Sequence, residues 1–126
     1  MGLTYQYWNH VMGTKEKLFM EEKALRELVE EILSFLDNQI IQIILYGFYA
    51  NGTYTSESDV DVALLLQGTL DKKKEEQLSE LIVTLNLKYD KVFFVINIDY
   101  SCFQKWKKVT PFYKNVKQGI VLWKAV

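Results

Sequence analysis

The chain has 126 residues, 49% of them hydrophobic and 25% charged, which suits one globular domain with a sizeable core. A formal net charge of -1 gives no global attraction to nucleic acid or an anionic membrane, though it leaves room for a local basic patch. With one cysteine, Cys102, an internal disulfide is excluded, and with one histidine, His10, a histidine-rich zinc site or a Ser-His-Asp triad is poorly supported.

Cys102 has no Cys-x-x-Cys context and reads as a small buried or half-buried residue in a protein of a reducing compartment, hence a cytoplasmic one. No apolar run approaches the ~20 residues of a membrane helix. Residues 1–14 lack a signal peptide's basic start and apolar middle, and read as an irregular aromatic arm before a single domain over 15–126.

Within that domain a helix is expected from Lys15 to Leu36. Thr14 stands at its start after Gly13, and Leu25, Leu28, Val29, Ile32 and Leu36 form one apolar stripe. Asp37 and Asn38 end it, and "QIIQIILY" reads as a buried strand. A loop from Gly47 to Ser58 leads into a second strand, "DVDVALLL", expected antiparallel to the first.

Leu78, Leu81, Ile82 and Leu85 then repeat at helical spacing, and the lysines and glutamates before them read as a solvated face. "KVFFVINI" is the third strand. Ser101 and Gln104 have capping-box spacing before a short helix carrying Phe103 and Trp106. Thr110, Pro111 and Gly119 bound another short helix, and "IVLWK" is an edge strand. The order predicts an α/β (α+β) two-layer domain, a small mixed sheet packed with helices.

Alternation along the second strand places Asp59 and Asp61 on one face, with Val60, Val62, Leu64 and Leu66 on the other. Two adjacent carboxylates repel. They are either solvated at a strand end or arranged to hold a divalent cation such as Mg²⁺, which takes oxygen ligands. The glycine-containing loop before them is either an ordinary connection or a cradle whose backbone N–H groups hold phosphate oxygens.

Gly47, followed after eleven residues by Asp59-Val60-Asp61, resembles the signature of the DNA polymerase β-like nucleotidyltransferase superfamily, and more narrowly its minimal nucleotidyltransferases. The core of the resemblance runs from about Ile43 to Leu66, with looser similarity through "PFYKNVKQGI". It implies a two-metal Mg²⁺ site, ATP or another nucleoside triphosphate as substrate, and transfer of the nucleoside monophosphate to a hydroxyl group. The implied acceptor is a tyrosine of a HEPN-type helical partner toxin, which the transfer silences.

The resemblance assigns Asp59 and Asp61 to the metals, and Gly47, Phe48 and Ser58 to the nucleotide-binding loop. It also implies a third carboxylate on a neighbouring strand, which ligates the metal nearest the attacking hydroxyl and assists its deprotonation; Asp90 and Asp99 are the candidates, roughly 30 Å apart along an extended strand. The helix between the second and third strands suggests a parallel crossover, which together with the family pattern selects Asp90; an antiparallel strand would select Asp99. Phe48 departs from the family's serine, and Tyr49 and Asn51 stand where arginines are usual, leaving Ser56, Ser58, Tyr49 and backbone N–H groups as donors. A second reading follows: a module that keeps the fold and neutralises a partner by contact, without transfer. Nucleic-acid binding gains little from the near-neutral charge, and apolar edge strands favour homo-oligomerisation.

Overall fold

The computed structural model describes residues 19–47, 50 and 59–125. The arm over residues 1–14 and the Thr14 cap lie outside them. The first helix, α1, runs Phe19–Leu36 and buries the anticipated stripe of Leu25, Leu28, Val29, Ile32 and Leu36, with Ala24 buried beside it. A turn at Asp37 and Asn38 follows, closed by the Gln39 N–H donating to the Leu36 carbonyl at 2.9 Å.

Strands β1 (Ile40–Tyr46) and β2 (Val60–Leu66) are antiparallel, with Leu45 opposite Val62 and Tyr46 opposite Asp61. Helix α2 (Lys72–Tyr89) then carries the chain back, so that β3 (Phe93–Asp99) enters parallel to β2. This is the crossover that a parallel neighbour requires. The Asp71 carboxylate caps α2 by accepting from the Lys74 N–H at 2.8 Å. Two short helices, α3 (Tyr100–Trp106) and α4 (Pro111–Lys117), precede β4 (Ile120–Lys124), which pairs antiparallel with β1. The sheet order is β3-β2-β1-β4, leaving β3 and β4 at the edges.

Helices α1 and α2 cover one sheet face around a core that includes Leu28, Ile32, Ile43, Leu45, Val62, Leu64 and Leu85. Glu27 joins them, accepting from Lys88 Nζ at 2.8 Å and from the Tyr89 hydroxyl at 2.6 Å. The other face has its own smaller core, in which Ile44, Tyr46, Ala63 and Leu65 meet Ile98, Phe103 of α3 and Val116 of α4. A Cβ on Gly119 would lie 2.4 Å from the Leu45 carbonyl oxygen, so the α4–β4 junction presses directly on β1.

Three local expectations change. Helix α3 begins at Tyr100 with Asp99 in the cap position, so Ser101 lies inside the first turn and forms no capping box. The Gln104 side chain instead bridges the Tyr100 hydroxyl and Lys107. Thr110 holds the cap position of α4 without a side-chain hydrogen bond. Cys102 is exposed, because the buried position of α3 is its neighbour Phe103. No helix among the described residues is long and apolar enough to cross a membrane.

Candidate active site

Asp61 is the second residue of β2, and Asp59 immediately precedes the strand. The Val60 N–H donates to the Val92 carbonyl at 2.8 Å, fixing this end of β2 against the entry to β3. Alternation then directs both carboxylates to one face, with Asp59 exposed and Asp61 half-buried. Burial pushes the Asp61 carboxyl above its usual range, and the charge of Asp59 pushes it further. Both causes disfavour a second negative charge, and a nearby cation would relieve both.

Residues directly across from Asp61 share its face. On β1 that residue is Tyr46, whose hydroxyl is pushed upward by burial and then by the Asp61 charge. Phe112 of α4 packs edge-on against it, with ring centroids 5.7 Å apart. On β3 the neighbour is Phe94, an exposed aromatic, with Val92 exposed beside Asp59. The alternation pattern could have revealed Tyr46, because it directly precedes Gly47; its place opposite Asp61 needs the register of the hairpin.

Gly47 ends β1 with φ +77, and a Cβ there would lie 2.5 Å from Asp61 Oδ2. Both the left-handed backbone and the close approach of the carboxylate demand glycine. Gly47 therefore borders the carboxylate pair. Phe48, Tyr49, Asn51, Ser56 and Ser58, expected to complete the loop, lie outside the described residues.

The parallel β3 places Asp90 at the Asp59 end of the sheet, whereas Asp99 stands opposite Leu66 at the other end. Asp90 terminates α2 with φ 50, its N–H donating to the Asn86 carbonyl. Among the described residues no three Asp, Glu, His or Cys side chains converge as a metal cluster. The structure thus brings Asp59 and Asp61 together but not Asp90 with them. Two carboxylates with oxygen donors, one of them destabilised by its neighbour's charge, match the ligand preference of one hard divalent cation. Between a cation and a phosphate chain, such a pair supplies two of the ligands while phosphate oxygens and water supply the rest.

Comparison with known proteins gives the arrangement a context. A nucleotidyltransferase domain model matches residues 25–120. The Methanocaldococcus jannaschii protein named "Putative protein adenylyltransferase MJ0604" is 38% identical over 104 residues, spanning 82% of this chain and 98% of its own. A second from that organism, "Putative protein adenylyltransferase MJ0141", is 33% identical over 68 residues, 54% of this chain and 69% of its own. A solved toxin–antitoxin structure with AMP-PNP shares the fold at a TM-score of 0.51 and 24% identity, covering 79% of this chain and 73% of that one.

Proposed function

This chain belongs to the nucleotidyltransferase domain family, and on that premise we propose that it transfers AMP from ATP to a hydroxyl group on a partner protein. The observation that carries the reading is the Asp59–Asp61 pair, set on one strand face with Gly47 against Asp61. A protein as acceptor is the activity in the names of the two M. jannaschii relatives. A tyrosine of a HEPN-type helical toxin as the acceptor, and an antitoxin role, rest on the resemblance of the Gly47–Asp61 segment. The toxin–antitoxin neighbour is consistent with that role through its fold.

In this reaction the acceptor oxygen attacks the α-phosphorus and forms the new P–O bond. The bond from the α-phosphorus to the α–β bridging oxygen breaks, pyrophosphate leaves with the electron pair, and the hydroxyl proton passes to a base or to water. Asp59 and Asp61 would hold Mg²⁺, which would supply charge neutralisation to the phosphate oxygens. The loop that begins at Gly47, with Phe48 and Ser58 in it, is proposed as the triphosphate-binding segment. Tyr46, with Phe112 edge-on against it, and the exposed Phe94 flank Asp61 with aromatic surface. Asp90 stands at the Asp59 end of the sheet without joining the pair; it is proposed as the third carboxylate, acting once bound substrate and metal draw it to the acceptor hydroxyl.

A second reading has its own observation. Phe94 occupies the β3 position beside Asp61 on the site face, where it offers no ligand and no base. That favours a module that grips its partner through exposed Val92 and Phe94 and transfers poorly. The experiment is incubation of the protein with α-labelled ATP, Mg²⁺ and the product of the adjacent gene. Label on the partner that vanishes with Asp59→Asn plus Asp61→Asn supports transfer. A tight unlabelled complex, unchanged by those substitutions, selects the contact-only module.

A further inference from the structure

Charge is distributed unevenly along this chain. All 16 acidic residues lie at or before Asp99, whereas Lys105, Lys107, Lys108, Lys114, Lys117 and Lys124 lie after it with no carboxylate side chain among them. The near-zero total conceals a basic C-terminal quarter.

The fold concentrates half of those lysines. A cleft of 290 Å³ opens between α3, α4 and the strand ends that carry Gln42 and Lys124. Its floor is apolar, made by Ile44, Phe103 and Val121, while Lys107, Lys117 and Lys124 provide three ammonium groups. Neither ion pair formed among the described residues involves these three lysines. The polar remainder is also arranged to donate. Lys107 Nζ donates to Gln104 Oε1 and Gln104 Nε2 donates to the Tyr100 hydroxyl oxygen, which leaves the Tyr100 hydroxyl hydrogen free to donate outward.

Three cations around one cleft repel one another, and an anion reverses that cost. The cleft shares a sheet face with Asp61, since Gln42, Ile44 and Tyr46 alternate along β1, but it lies at the opposite end. Gln42 pairs with Lys124 and Tyr46 with Asp61, a separation of roughly 13 Å along the strand. The volume stands near the small end of ligand pockets, too small for a folded segment of a partner and large enough for a phosphorylated small molecule.

We propose that this cleft is a second anion site, taking a small phosphate-bearing ligand on Lys107, Lys117 and Lys124. The inference does not depend on transfer activity at Asp59 and Asp61. Two sources share the chemistry: pyrophosphate, which the proposed reaction releases, and a nucleoside monophosphate, whose base would lie over the apolar floor.

The test uses full-length protein carrying Asp59→Asn and Asp61→Asn without divalent cation, so that the carboxylate site contributes no metal-dependent binding. Calorimetric titration with pyrophosphate and, separately, with AMP is expected to show one site that weakens as salt is raised. Adding Lys107→Gln and Lys117→Gln should weaken it at least 10-fold, while Lys105→Gln plus Lys108→Gln, outside the cleft, should change it less than 2-fold. NMR shifts of the unsubstituted protein on titration should concentrate at Gln42, Tyr100, Lys117 and Lys124, a readout that needs no lysine variant to fold. Preference for pyrophosphate or AMP identifies the source. Absence of saturable binding, or equal losses from both lysine pairs, would overturn the proposal. So would a preference for single-stranded oligonucleotides with all six lysines contributing alike, since that describes a nucleic-acid surface rather than a cleft.

Discussion

Val60, Val62, Leu64 and Leu66 form one continuous row along β2, each at most 1% exposed. The alternate row changes character midway: Ala63 and Leu65 are just as buried, but Asp61 is half-exposed and Asp59 exposed. One strand therefore serves as core and as chemical platform, with a single residue of offset deciding which. The apolar row anchors the position of the carboxylates without touching them. Stability and activity should then come apart under substitution.

The widest separation is expected from Asp59→Asn with Asp61→Asn. AMP transfer to the partner should fall on the order of 10³-fold, measured with labelled ATP. In metal-free buffer at neutral pH, Asp61→Asn alone should leave thermal stability equal or raised. The sign follows from the upward displacement of the Asp61 carboxyl. A carboxyl raised on folding penalises the folded state once it ionises, so the stability gain of the asparagine should grow as pH rises through the displaced range and vanish below the unfolded value. A lowered melting temperature at neutral pH would break the proposed independence of the two rows.

The opposite row gives the converse. Leu64→Ala removes a fully buried side chain and should cost about 2–5 kcal/mol in denaturant unfolding. Transfer by the fraction that remains folded should be close to normal. Gly47→Ala lies between the two: the added Cβ meets Asp61 Oδ2 in a left-handed backbone, so it should cost about 1–3 kcal/mol and also move the carboxylate. It should reduce transfer at saturating ATP by about 10-fold or more, unlike Leu64→Ala.

Glu27→Gln should have the smallest effect, a few degrees in melting temperature at most, because the pair is largely solvated. Hydrogen bonds from Lys88 and then Tyr89 hold the Glu27 carboxyl below its ordinary value of 4.5. Its contribution is present above that value and lost as pH falls through the lowered one. The difference between wild type and Glu27→Gln should therefore shrink in acid, as followed by thermal melts across pH.

Much of this arrangement was legible in the chain because it depends on period. Isoleucine and valine runs announced β1 and β2, and the two-residue repeat alone put Asp59 and Asp61 on one face. The helix between β2 and β3 implied the parallel crossover. What stayed hidden depends on register or tertiary contact. Tyr46 and Phe94 become neighbours of Asp61 only once three strands are aligned. Ser101 and Gln104 had the spacing of a cap, but Tyr100 already continues from β3 and competes for the glutamine side chain. Cys102 is exposed because the sheet chose Phe103. Asp71, directly before "KKKEEQ", carries the ordinary sequence signal of the cap that it forms on α2.

The strand order has a consequence for how the protein is made. β1 emerges early in synthesis, yet among the described residues its second hydrogen-bonding edge is covered by β4. Until Ile120–Lys124 has left the ribosome, the sequence "IIQIILY" presents an open, isoleucine-rich edge to every other nascent chain. Pairing of β4 is thus the step that ends a window of exposure to aggregation, and a chain cut short before Gly119 would never close it.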